Sequence, residues 1–409
     1  MSIGGNVLVV GAPQATPPGA KIAQGAAFIF VNAGGGWPST PTAVLSEVQQ
    51  TTGDDFGISV AISPDGTTVV VGATSHSVSS TKQGVGAAFV FVEPTGGWPT
   101  ASSYTPTAQL SASDGLTGDD FGTSVAINSL DNTIVAGATQ VTSNGPGAAY
   151  VFQRLETGWK TTSHFVAKLT ASNGAPGHSL GTSVAIDGIT VVAGAPYASA
   201  GTSTGVLCTQ CGVAYVFEKG TKWTSGSETA QLYALNGAAD NTLGTSVAIS
   251  QTKVSGVLVS IVVAGAPGTE VGTNRFQGAA YVFVEPTSLT WAQYQTETAE
   301  LVAKDGAGFD ELGSAVAISG TLVIVGAPDK TVDDSDDEGE VYAFQGNLTT
   351  GVWKQTQELS LGTSVASNDR LGYSVSLYVS AGVPAVLTGA PLETVGVHTS
   401  QGAAYVWGP

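Results

Sequence analysis

The stretch VVVGATSHSVSSTKQGVGAAFVFVEPTGGWPTASSYTPTAQLSASDGLTGDDFGTSVAI, residues 69–127, holds four short apolar runs separated by turn residues. Each run recurs along the chain in the same order. An apolar run closed by Gly-Ala-Pro or Gly-Ala-Thr occurs seven times, ending at Pro13, Thr74, Thr139, Pro196, Pro267, Pro328 and Pro391. Gly-Ala-Ala-Tyr-Val-Phe or a close variant also occurs seven times, at 25–30, 86–91, 147–152, 212–217, 278–283, 339–344 and 402–407. A tryptophan followed by an Ala-x-Leu segment occurs six times, from Trp37 to Trp353, and so does Phe-Gly or Leu-Gly before an alternating run such as SVAI. Runs of four to seven Val, Ile, Ala, Phe and Tyr residues bounded by Gly, Pro, Asp or Ser read as strands with tight connections. Four strands per unit, repeated radially seven times, make an all-β, seven-bladed β-propeller of antiparallel blades.

In the order Phe-Gly, Gly-Ala-Pro and Gly-x-x-Tyr-Val-Phe the chain resembles the FG-GAP repeat family, as in the propeller of integrin alpha subunits. Its short loops are more similar to the FG-GAP repeats of microbial secreted proteins. The resemblance covers essentially the whole chain, read as one propeller domain, 1–409, with repeat units at roughly 1–55, 56–120, 121–179, 180–242, 243–311, 312–370 and 371–409. Numbering the strands in each unit from the Phe-Gly run, the tally is six, seven, seven, six. The segment absent is contiguous: a fourth strand after Trp407 and a first strand before Ser2. Strand donation by a neighbouring copy is one way to complete such a seam, and would link propellers head to tail.

Composition narrows the function. The chain has 409 residues, 55 of them glycine, with 31 acidic against 13 basic side chains and a net charge of −18. Phosphate binding needs clustered Lys and Arg, so no nucleic-acid partner is expected. No apolar run of about 18 residues or more is present, so no transmembrane segment is expected. In an antiparallel meander the 4→1 and 2→3 loops share one face. That face carries about −12 of the net charge, and the resemblance implies that it is the ligand-facing side. Its candidate ligand-binding residues are Asp54, Asp55, Asp119, Asp120, Asp240, Asp310, Glu311 and Asp369. The competing reading is that aspartates here cap turns and keep the surface soluble.

Asp329, Asp333, Asp334, Asp336, Asp337 and Glu338 crowd one 2→3 loop, a composition that suits Ca²⁺, a hard cation with oxygen ligands. The 1→2 loops, where the resemblance would put calcium, are cut to strings such as SPDGT, so that family cofactor is not carried over and none is certain. Cys208 and Cys211 are candidates for a local disulfide. His76, His164, His178 and His398 are scattered and expected at the surface. Recurrence once per blade assigns the tryptophans to packing rather than to sugar stacking.

These readings point to an extracellular or cell-surface, non-catalytic binding or structural module, not an enzyme, serving adhesion or assembly. Its partners would be a protein, a glycan or neighbouring copies of itself. The alternatives are a polysaccharide lyase or hydrolase using carboxylates such as Asp120 or Asp310, and a calcium-dependent adhesin.

Overall fold

The computed structural model describes the chain apart from residues 17–23, 48–52, 80–81, 99–100, 129–131, 203–204, 289, 333–336, 362–367 and 409. It is all-β, a seven-bladed β-propeller. Among the described residues no helix is long and apolar enough to cross a membrane. Two compact units divide the chain, residues 1–191 with 219–227 and residue 409, and residues 192–218 with 228–408.

In the first unit, blade 2 shows the pattern. Strands Ser59–Ile62, Thr68–Ala73, Ala87–Val92 and Ala108–Leu110 pair antiparallel in sequence order. Blade 1 orders Ser2–Gly4, Val7–Ala12, Ala26–Val31 and Ala43–Leu45 in the same way, and blade 3 orders Phe121–Asn128, Thr133–Ala138, Ala148–Gln153 and Ala167–Thr170. The second unit contains blade 5, from Ser246–Val254 to Ala299–Leu301, and blade 6, from Ala315–Ser319 to Val352–Leu359. Blade 7 has three strands among the described residues, Ser374–Ser380, Val383–Ala390 and Ala403–Trp407. Ser2–Gly4 is thus a short first strand for blade 1, and the fourth strand absent from the sequence tally belongs to blade 7.

The repeated motifs are explained by backbone approach. A Cβ on Gly72, the glycine of Gly-Ala-Thr, would overlap the carbonyl oxygen of Gly122, the glycine of the next Phe-Gly. Gly326 and Gly372 meet in the same way in the second unit. The two motifs are therefore the two sides of one blade-to-blade contact, in which any side chain would push neighbouring sheets apart. Apolar layers pack between the blades, such as Val69, Val71, Phe56, Phe89, Phe91 and Trp98 against Val7, Val9 and Ile29 of blade 1. Trp98, Trp159, Trp223 and Trp291 are buried, and the Trp98 indole donates to the Gly66 carbonyl. This is the packing role expected of them.

Some 3→4 connections also strap across the preceding blade. Ala101–Tyr104 adds parallel to Ala43–Leu45, Gly226–Ser227 to Ala167–Thr170, and Tyr294–Thr296 to Ala230–Tyr233. These straps give three sheets a fifth, parallel strand. They also explain why residues 219–227 group with the first unit.

Candidate functional site

Each 4→1 segment ahead of blades 2 to 6 runs ten residues, from the position after Ala-x-Leu-x to the Phe or Leu of the glycine dipeptide: 47–56, 112–121, 171–180, 234–243 and 303–312. The described residues of each end in the same turn. Three residues before the Phe or Leu the chain turns left-handed, at Gly53, Gly118, Gly177, Asp240 and Phe309, with φ between 66° and 82°. The residue immediately before it is left-handed again, at Asp55, Asp120, Ser179, Thr242 and Glu311. Between the two, a polar side chain folds back: Asp119 accepts from the Leu116 amide at 2.9 Å and Asp310 from the Ala307 amide at 2.8 Å. Such side-chain-to-backbone closure is what short acidic side chains do best in turns.

This sorts the eight acidic candidates. Asp54, Asp119, Asp310 and Asp369 are buried, each at the closing position of its turn. Asp55, Asp120 and Glu311 are half-buried at the left-handed position, and Asp240 is exposed. Burial raises the carboxyls of Asp120, Asp310 and Glu311 above their ordinary range. Asp119 and Asp310 thus close their turns, and Asp54 and Asp369 occupy the same buried position. Of the suggested calcium ligands, Asp333, Asp334 and Asp336 lie outside the described residues. Asp329 faces Arg370 at 3.2 Å, and Glu338 is buried. Cys208 and Cys211 are joined as a disulfide.

Departures from the shared loop single out two places. The first lies in loop 47–56. Glu47 stands where the other copies have Ala112, Ala171, Ala234 and Ala303. His76, in the 2→3 loop of blade 2, stands where they have Val141, Ala198, Thr269 and Lys330. The two come together with Asp54: the His76 Nδ1 is 2.9 Å from Glu47 Oε2 and 3.2 Å from Asp54 Oδ2. All three residues are buried, at 5 %, 1 % and 7 % exposure for Glu47, Asp54 and His76. Burial, reinforced by Asp54 against the pull of His76, lifts the Glu47 carboxyl to about 7. Burial opposes the imidazolium too, but hydrogen bonds and charges from Asp54 and Glu47 outweigh it and raise His76 to about 9. The histidine expected at the surface is therefore in the interior, its ring edge-on to Phe89 at 5.1 Å.

The second lies in loop 303–312. Phe309 occupies a left-handed position held elsewhere by Gly or Asp, at φ 72°, and its ring is 61 % exposed. Phe276, on the 2→3 loop of blade 5, is also left-handed at φ 54°, where blade 2 has Gly84. Their rings lie 5.5 Å apart, with the Arg275 guanidinium 5.5 Å from the Phe276 ring. Backbone bonds clamp the pair: the Phe309 amide donates to the Arg275 carbonyl at 2.9 Å and the Glu311 amide to the Phe276 carbonyl at 3.0 Å. The same loop carries Asp305 and Asp310, both paired with Lys330, at 3.1 and 3.3 Å from its Nζ. Tyr342 donates to Asp305 and, at 2.7 Å, to Glu340. Burial and these two carboxylates raise the Tyr342 hydroxyl well above its usual range. None of Glu47, His76, Arg275, Phe276 or Phe309 belongs to a sequence motif. Superposing the repeats is the signal that finds them.

A family profile described as FG-GAP repeat matches residues 42–91, 104–152, 164–217 and 295–344. The chain is an FG-GAP repeat protein. The first matched stretch of this FG-GAP protein holds Glu47, Asp54 and His76, and the last holds Phe309, Asp310 and Lys330. No curated protein matches the chain. Among solved structures, the periplasmic gluconolactonase PpgL of Pseudomonas aeruginosa is similar, with a TM-score of 0.52, 11 % identity, and 98 % of each chain covered. At that identity the likeness is one of fold. It nonetheless corrects the expectation that the chain is not an enzyme: a propeller alike over nearly its full length belongs to an enzyme, so architecture gives no ground for setting catalysis aside.

Proposed function

We propose that this FG-GAP protein is a carbohydrate-binding propeller that acts outside the cytoplasm and holds its ligand on the platform of Arg275, Phe276 and Phe309. The observation that carries the reading is Phe309 itself. A bulky residue held left-handed costs about 1–3 kcal/mol, and a ring left 61 % exposed recovers little of that by burial. Folding does not explain why phenylalanine stands there, since glycine fills the same position in three other loops. A flat aromatic face beside carboxylates suits a sugar: its C–H faces stack on the ring and its hydroxyls donate to Asp305, whose side chain is 45 % exposed. Tyr197 and Tyr373 add exposed aromatic surface in the same unit, at 50 % and 57 %. The similar solved structure is that of a periplasmic gluconolactonase, which accords with a sugar-type ligand and a place beyond the inner membrane. Adhesion to a glycan-coated surface is the form such binding takes in this reading.

The test is calorimetric titration of the full chain with a panel of acidic and neutral oligosaccharides. Wild type is expected to bind at least one, and Phe309→Gly and Phe276→Gly to weaken it at least tenfold with melting temperature kept or raised. No binding across the panel, or binding indifferent to both variants, would remove the platform as the site.

A second reading, turnover of the bound sugar, is favoured by Asp305 and Asp310 on the loop that carries Phe309. It predicts new reducing ends or unsaturated products on incubation, abolished in Asp310→Asn.

A further inference from the structure

We propose that Glu47, Asp54 and His76 form a binding site for one divalent transition-metal ion, zinc foremost, built into the turn that precedes blade 2. The proposal is independent of the carbohydrate platform, which lies in the other unit of the chain.

The donor set comes first. One imidazole nitrogen and two carboxylate oxygens, one from each of three residues, all lie within 4.8 Å of one another. On a tetrahedral zinc with bonds of ~2.0–2.1 Å, neighbouring donor atoms are about 3.3 Å apart. The Nδ1-to-oxygen distances of 2.9 and 3.2 Å need only a few tenths of an ångström to open to that edge. An imidazole donor favours zinc and its neighbours over calcium, which takes oxygen ligands alone. Two carboxylates, a neutral histidine and a divalent cation sum to zero charge, the condition under which burying such a group is least unfavourable.

The second observation is that the interior is otherwise poorly satisfied. Glu47 is 5 % exposed, and its Oε1 has no hydrogen-bond partner among the described residues. Its Oε2 nevertheless sits against His76 Nδ1. Buried carboxyl groups gathered on one imidazole leave lone pairs facing inward, and a cation accepts them where a single N–H cannot. Nor does the blade require these residues. Four other copies of the loop have alanine at the Glu47 position, and the His76 position holds Ala198 in blade 4. Glu47 and His76 depart from the repeat together and meet at the same point. In the second unit, where Lys330 occupies the place of His76, the residue at the Glu47 place is Ala303, and the lysine supplies its own positive charge to Asp310.

The experiment uses the full chain, stripped with EDTA and exchanged into chelator-free buffer, then titrated with Zn²⁺ by calorimetry and with Co²⁺ by visible absorption. Expected are one saturable site per chain, a Co²⁺ spectrum of tetrahedral intensity, a higher melting temperature with Zn²⁺, and no competition from excess Ca²⁺. Glu47→Ala and His76→Ala install residues that other blades carry, and each is expected to weaken Zn²⁺ at least tenfold and abolish the Co²⁺ spectrum. Lys330→Gln is expected to leave both intact. Absence of a saturable site in wild type overturns the proposal, as does Zn²⁺ affinity and stabilisation equal in wild type and both alanine variants. In either case the three groups are an ion cluster sharing a proton.

Discussion

Loops 47–56 and 303–312 end in the same left-handed turn, and of four decisive positions they differ at three. Glu47 corresponds to Ala303, Gly53 to Phe309 and Asp54 to Asp310, and the partner from the next 2→3 loop is His76 in one and Lys330 in the other. Only the aspartate is common, at the position from which Asp310 closes its turn. In the first loop the charge balance is turned inward and left open, with a titratable ring between two buried carboxyls. In the second it is closed by a permanent ammonium, and the departure from the repeat is turned outward as an exposed ring. A repeat frame held by backbone contacts thus lets one position serve the interior in one blade and the surface in another.

The largest effect that would break this comparison is at Lys330. Its side chain is 8 % exposed and holds both Asp305 and Asp310. Lys330→Gln leaves Asp310 buried beside a neutral amide and is expected to destabilise by about 3 kcal/mol, read by urea denaturation. A loss under about 1 kcal/mol would mean that the aspartate is satisfied by its turn alone. Glu47→Ala in EDTA at pH 8 is expected to go the other way, raising stability by about 1 kcal/mol. The substitution removes a buried carboxyl that crowds Asp54 and leaves the alanine found in the other loops.

Phe309→Gly sharpens the contrast further. Release of the left-handed strain is expected to stabilise by about 1 kcal/mol, offset in part by lost contact with Phe276, while the same change at a right-handed exposed phenylalanine would not stabilise. The smallest effect is one of pH. Burial pulls the Lys330 ammonium down, but Asp305 and Asp310 raise it overall above 10.5. A cation raised in the folded state contributes fully below its unfolded value and loses that contribution as pH rises through the folded one. The gap between wild type and Lys330→Gln is therefore expected to stay level from about pH 6 to 10 and to narrow above 10.5, followed by thermal melts across that range.

The fold was legible because its cause is written in glycine. Gly72 and Gly122 must both lack a side chain for two sheets to meet, and a requirement repeated at every blade leaves a motif at every blade. The tryptophans were legible for the same reason. The site was not, since what marks Glu47, His76 and Phe309 is departure from the repeat, and departures form no motif. His76 reads as one of four scattered histidines until the fold brings a residue 29 positions earlier against its ring. Phe309 reads as an ordinary loop aromatic until its dihedral angle is known. The acidic pairs 54–55, 119–120 and 310–311 stand out as charge, yet Asp119 and Asp310 are turn closures, which composition cannot separate from a ligand.

The constant ten-residue span that leads into the glycine dipeptide of blades 2 to 6 has a practical consequence. Since each span enters the next sheet through the same left-handed turn, the loops are exchangeable parts. Writing residues 303–312 over 112–121 should carry the Phe309 ring to a new address without disturbing the strands on either side. A propeller of this kind can gain or relocate a recognition surface by copying one short cassette, with no new backbone to invent.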